Sequence, residues 1–255
     1  MASAIMAIIA GTMLGLANGV QQSWQYTQQA GTETQHARVV LERINRLVSE
    51  ALSTPSVTGV AVMYEDVGAW RFYDTLVIWH PSGAPQNPTG PPLVKECVVI
   101  SPDPNDPTQL VEIIDPADNR DINVSNSAIN QPTLRAVINE VKVSPTSQKT
   151  VLTDLLRAPE VDQANGRRGA FHAASTMQPT DTEISEYSAG NIAWNALSWP
   201  QDVFGSKTGL RRFWLRIELQ LMPSRDEALN ELGANKATGF FGSAAHGYRI
   251  DRGAY

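Results

Sequence analysis

A chain of 255 residues with 20 basic and 26 acidic side chains carries a net charge of −6 and has ample material for a core of its own. It has no basic block to follow a nucleic-acid backbone, and its single cysteine, Cys97, excludes an intramolecular disulfide framework or a cysteine-rich metal site. Sixteen prolines and eighteen glycines point to turns and short strands rather than a helical bundle.

In chain order, Met1–Val20 (MASAIMAIIAGTMLGLANGV) comes first, twenty residues without a charge. A secretory leader needs a basic n-region and a small-residue cleavage site; here Met1 abuts the apolar run, and Ala17-Asn18-Gly19 makes only a weak site. The length and the flanking Trp24 and Tyr26, placed as an interfacial aromatic belt would be, fit a transmembrane helix. No lysine or arginine precedes Arg38, so loop charge assigns no orientation. Gly11, Gly15 and Gly19 repeat every four residues, a small-xxx-small pattern that lets helix backbones approach closely.

Further along, Ala37, Val40, Leu41, Ile44, Leu47, Val48, Ala51 and Leu52 form one apolar stripe at helical spacing, with Arg38, Glu42, Arg43, Arg46 and Glu50 largely outside it. Pro55 is the first proline and stops the helix. Met1–Leu52 is therefore predicted as one helix, roughly 78 Å long at about 1.5 Å per residue. The organisation that follows is a helical part over 1–55, membrane-spanning at 1–20 and amphipathic at 33–52, then a β-rich globular domain over 56–255.

The run AIMAIIAGTMLGLANGVQQSWQYTQQAGTETQHARVVLERINRLVSEAL resembles the type IV pilin and type II secretion pseudopilin family, a minor J-type-like pseudopilin in particular. The resemblance covers about the first fifty-five residues and the remainder only in general character. The family's cleavage motif, a glycine and then a short apolar run ending in glutamate, is missing; Met1-Ala2-Ser3 looks like the stretch just after it. The resemblance implies an α+β, pilin-like fold in which a long N-terminal helix packs on an antiparallel sheet. It implies a prepilin-type, single-pass protein of the inner membrane, its globular domain over 56–255 periplasmic or extracytoplasmic, that joins or primes a filament in protein transport. Its partners would be other pilin or pseudopilin subunits, inner-membrane lipid and secretion-system components, with no nucleic acid, cofactor or metal and no enzymatic activity. Ile5, Ile8, Ile9, Gly11, Leu14, Gly15, Gly19 and Trp24 would make the lipid and helix contacts, and Val40, Leu41, Ile44, Leu47 and Val48 would pack on the sheet.

Beyond the helix, Val57–Tyr64, Trp70–His80, Leu93–Ile100 and Gln109–Ile114 are β-branched and aromatic-rich strands, with a proline- and glycine-dense loop at Pro81–Pro92. Cys97 lies inside a strand as a small buried hydrophobe. Asp103, Asp106, Asp115, Asp118 and Asp121 match no calcium-loop spacing and sit among turn-forming prolines. Gln131–Val143 fits a helix through Leu134, Val137, Ile138 and Val141, while VINEVKV alternates like a strand. Thr150–Arg157 reads as a short helix, and Glu160–Pro200 as a long polar excursion or partner-facing loop. Leu210–Met222 alternates as a half-buried strand, with Phe213, Leu215, Ile217, Leu219 and Leu221 on one face. Gly239–Tyr255 is a glycine-rich tail with at most a short strand at Tyr248–Ile250.

The chain shows no concentrated chemistry. His36, His80, His172 and His246 are scattered, neither HExxH nor GxSxG occurs, and Phe204–Gly209 (FGSKTG) lacks phosphate-loop spacing. Two other readings stay open. One is a membrane-tethered binding domain outside any filament, with the 160–200 region capturing a ligand. The other is a secreted hydrolase with a leader cleaved near Asn18–Gly19 and a triad or metal cluster assembled in space.

Overall fold

The computed structural model describes residues 2–55, 57–125, 131–162, 164, 166–228 and 237–254, with side chains at all of these except 2–12, 14, 15, 25, 26 and 162. The fold is α+β. Helix α1 runs over Ala2–Ser49. An antiparallel meander follows, β1 (Val60–Val67), β2 (Trp70–Trp79), β3 (Cys97–Pro102), β4 (Leu110–Ile114) and β5 (Gln148–Thr153), which lie side by side in that order. Helix α2 (Gln131–Val143) crosses between β4 and β5.

A second antiparallel sheet has β9 (Thr208–Leu221) at its centre, flanked by β8 (Phe171–Gln178) and β10 (Thr238–Asp251). A two-stranded ribbon of β6 (Glu160–Asp162) and β7 (Gly166–Arg167), the helix α3 (Asp181–Ser188) and the single turn α4 (Arg225–Ala228) complete the elements.

Burial explains the apolar runs in the larger sheet. Because side chains alternate across a strand, Val60, Val62, Leu76, Ile78, Val98 and Ile100 face one core, while Ala61, Met63, Val77, Trp79, Cys97 and Val99 face another. The first core is shared with Val40, Ile44, Leu47 and Val48 of α1 and with Phe213, Leu215, Ile217 and Leu219 of β9. The second is closed by Leu134, Ile138 and Val141 of α2. A sheet covered on both faces needs apolar residues at consecutive positions, which is why CVVI and LVIW read as unbroken runs.

Glycine matters at two junctions. Gly59, at φ +77°, links the end of α1 to β1, and a Cβ there would sit 1.6 Å from the Leu52 carbonyl oxygen. Gly242 of β10 lies under α1, where a Cβ would meet the Leu41 side chain at 2.6 Å.

Several expectations are corrected. No helix among the described residues is long and apolar enough to cross a membrane. Within the described part of α1 the exposed polar side chains of Asn18, Gln21, Gln22 and Ser23 interrupt the apolar positions, and a bilayer core has no partner to offer them. The membrane-spanning 1–20 segment, the single-pass inner-membrane location, the pilin-like fold and the pseudopilin role in filament assembly fall with that finding. So does the membrane-tethered alternative.

Thr150–Arg157 is no helix; its start belongs to strand β5. Glu160–Pro200 is no open excursion but holds β6, β7, β8 and α3, with Ile184, Trp194, Leu197 and Trp199 packed on Tyr248 and Ile250 in a small core of their own. The C-terminal tail forms the long strand β10, paired along its length with β9. The ambiguous 131–143 segment is helical, because its apolar face has α2's own core to fill.

If the enclosed half of α1 organises both sheets, its buried positions should dominate stability. Ile44 is 0% exposed and Val39 58% exposed on the same helix. Ile44→Ala should cost about 2–5 kcal/mol in urea unfolding, and Val39→Ala should stay within about 0.5 kcal/mol.

Candidate functional site

Helix α1 divides into a root and a stalk. Burial begins at Glu33 (4% exposed) and Ala37 (1%), so the root is the part from Glu33 onward. Every described side chain between Met13 and Thr32 is exposed. The stalk, Ala2 to Thr32, spans about 46 Å at about 1.5 Å per residue.

Polar contacts pin the root on several sides. Arg43 donates to Glu112 of β4 through Nε at 2.8 Å and Nη2 at 2.6 Å, a two-point grip on a carboxylate that is largely buried. The His36 ring meets the Thr153 hydroxyl of β5 at 3.0 Å, which ties the root to β5. Glu50 pairs with His80 just past β2 at 3.1 Å.

The stalk is different. Met13, Leu16, Val20 and Trp24 are each about two-thirds exposed. Their 3-4-4 spacing keeps them on one side of a straight helix, because eleven residues come close to three full turns. Gly19 and Gly31 have nothing within 4 Å of the position a Cβ would take. Thr27 donates its hydroxyl to the Ser23 carbonyl at 2.9 Å, so that polar group is satisfied within the helix. The result is an exposed apolar stripe with small and self-satisfied neighbours.

Of the residues singled out in the sequence, Gly19 and Trp24 lie on the stalk and are exposed. The side chains of Ile5, Ile8, Ile9, Gly11, Leu14 and Gly15 fall outside the described residues. Val40, Ile44, Leu47 and Val48 are fully enclosed, and Leu41 is partly buried against β10. Met13, Leu16 and Val20 were not singled out, although their spacing was available to find them.

The polar groups that invited a chemical reading have other partners. Asp115 accepts from the Ser144 hydroxyl at 2.8 Å and the Thr146 hydroxyl at 2.9 Å, and Asp118 and Glu140 hold Arg120. Asp106 accepts from the Thr108 hydroxyl at 2.6 Å and from Arg225. Among the described residues no group of three or more histidine, cysteine or acidic side chains could hold a metal ion. Cys97 is buried, which pushes its thiol well above the ordinary range and away from the reactive thiolate. Phe204 and Gly209 are bridged across a tight turn, with no helix start behind them.

Ser53 and His246 come within 2.7 Å of each other, a pairing invisible in the sequence. Two facts keep it from being a nucleophile and its base. The serine hydroxyl donates to the Thr58 carbonyl at 2.5 Å, and among the described residues no carboxylate orients the ring, whose other polar neighbour is the Ser49 backbone. The pair joins the end of α1 to β10.

Compared with protein-family models, with curated proteins and with solved structures, the chain has no match. The class that the fold defines is an α+β domain, two antiparallel sheets closed over the root of a helix that continues past them.

Burial lowers the His246 pKa from 6.5, outweighing the pull of the Ser49 backbone. Below pH 6.5 the unfolded chain therefore binds a proton that the folded chain resists. Stability supplied by neutral His246 should be present above that pH and be lost as pH falls through the folded value. Unfolding curves of His246→Gln should show a flatter acid limb than the parent between neutral and mildly acidic pH.

Proposed function

We propose that the chain is an assembly module whose stalk pairs with the stalk of a second copy, helix against helix. The observation that carries this reading is the exposed stripe of Met13, Leu16, Val20 and Trp24 on a helix held at its root by the domain. The reading asks for no bilayer and no kinship with pilus subunits. It is one of assembly rather than catalysis.

A second copy suits the stalk on charge. Residues 2–32 carry no charged side chain, and the first one, Glu33, is enclosed in its own domain. Two such helices can lie together with no like-charge contact to offset the packing. Small residues between the stripe positions, Ala17, Gly19 and Ser23, allow a close approach.

Magnitude sets the expected strength. Burying a large apolar side chain yields about 1.5–3 kcal/mol when complete, and a helix pair covers only part of each. Eight such side chains, four per copy, then give a gross gain that only modestly exceeds the roughly 4–15 kcal/mol lost on association. A net gain of about 4 kcal/mol corresponds to roughly millimolar strength, so the pair should be a weak, reversible one.

Sedimentation or light scattering over a concentration series should show a monomer–dimer equilibrium in this range. The double substitution Leu16→Glu, Val20→Glu should weaken it by about a hundredfold or more and leave the domain's unfolding midpoint unchanged, because both positions are clear of the core. A wild-type chain that stays monomeric at high concentration would sink the reading. So would a chain that associates only with lipid vesicles.

A further inference from the structure

Away from α1, a cavity of about 330 Å³ opens where the end of α2 meets β1, β2, the β3–β4 loop and the segment after β7. Its charged lining is Glu65, Asp74, Asp103, Lys142, Arg167 and Arg168. The volume is at the small end for a ligand site. One wall is stiffened by Pro102, Pro104 and Pro107, and Gly169 closes against it: a Cβ there would sit 2.6 Å from the Pro107 carbonyl oxygen.

Lys142 is the unusual member. Only 8% of it is exposed, and its ammonium donates to the Thr75 hydroxyl at 2.7 Å. Thr75 in turn donates to Asp74 at 3.0 Å. Arg168 grips Asp74 at 2.8 Å and Glu65 at 2.5 Å, so both carboxylates already hold a guanidinium. Asp103 is held by Lys149 at 3.2 Å.

An ammonium has three N–H groups, and the described residues give Lys142 one hydrogen-bond acceptor, Thr75. A buried ammonium is costly unless its N–H groups meet acceptors, so a group that enters the cavity gains by supplying them. The charges point the same way. Among the described residues that line the cavity, with Asp103 paired to Lys149, Lys142, Arg167 and Arg168 stand against Glu65 and Asp74, three positive charges to two negative.

We propose that this cavity binds a small monocarboxylate, its oxygens accepting from Lys142 while Arg167 supplies the second cation. The ligand brings acceptors to Lys142 and a negative charge to a lining biased positive. Arg167 is half-buried and donates Nη1 to the Ala158 carbonyl at 3.0 Å, which fixes its guanidinium beside the opening and leaves other N–H groups to turn inward.

Burial lowers the pKa of Lys142 from its ordinary value; Asp74 and Glu65 pull it back up, and Arg168 adds to the lowering. A bound carboxylate offsets that lowering by charge–charge attraction. Binding needs the ammonium, so it weakens as pH rises through the depressed value.

The test uses the whole chain and three probes, acetate, lactate and benzoate, against chloride at equal ionic strength. Calorimetric titration should give saturable binding of at least one carboxylate, and thermal unfolding should shift upward with that probe and not with chloride. Lys142→Met should lose about tenfold or more in affinity, and Arg167→Gln about threefold or more. The proposal is overturned if no carboxylate outperforms chloride, or if Lys142→Met binds as the parent does. Should Lys142→Met fail to fold, Arg167→Gln decides the matter, and an unchanged affinity there overturns the proposal equally.

Discussion

Everything in this structure leans on the root of α1. Val40, Ile44, Leu47 and Val48 have no exposed surface, and they share one core with the inner faces of both larger sheets. The five-stranded sheet spends its other face on α2, and its inner face closes on α1 and on β8 to β10 in one shared core. Removing the root would open the core that holds Leu76, Ile78, Ile100, Leu215 and Ile217. The two sheets are thus a single domain through the helix packed against both and through direct contact of β2 with β8, where the Tyr73 and His172 rings meet at 6.0 Å.

Apolar burial is non-directional and would tolerate small rotations of a helix. The directional contacts at its edges remove that freedom. Arg43 on Glu112 fixes the root toward β4, His36 on Thr153 fixes it toward β5, and the Ser53–His246 contact ties its exit to β10. The Arg43 pair has force because Glu112 is enclosed; deleting the arginine would leave a carboxylate out of water with no cation. By contrast, Arg38 and Glu42 meet at 2.8 Å on the open side of the helix, where solvent screens them and little depends on the pair.

How much of this could be read in the sequence depends on what each face touches. The 37–52 stripe, the doubly apolar runs of β2, β3 and β4 and the alternation of β9 all carry large side chains, so hydropathy reveals them. Strand β10 is opaque because the residues under α1 are small: Gly242 and Ala244 lie there to admit Leu41, and hydropathy cannot distinguish such a face from a flexible tail. Strand β8 buries only Phe171 and Ala173, too few to mark a period. Leu152, Leu155 and Leu156 mimic helical spacing, yet they belong to the end of a strand and the turn beyond it. The charged cavity is least legible of all. Glu65, Asp74, Lys142 and Arg168 come from four separate segments, and no local pattern links them.

The stalk poses a different physical question, which is why it should be helical at all. Its alanines and glutamines favour a helix, but four glycines and three threonines oppose one, and it has none of the i,i+4 ion pairs that support an isolated helix. The costly step in helix formation is the first turn, and the root supplies it, held in place by the domain; the stalk only has to propagate. Its apolar side chains do not continue the root's contact face. At about 100° per residue, the centre of Met13, Leu16, Val20 and Trp24 lies roughly 140° around the axis from that of Val40, Ile44, Leu47 and Val48. One rod therefore carries two apolar surfaces facing different ways. The first is consumed in closing the domain, and a helix resting on the second would stand clear of both sheets, free to pair without disturbing the core that holds the rod.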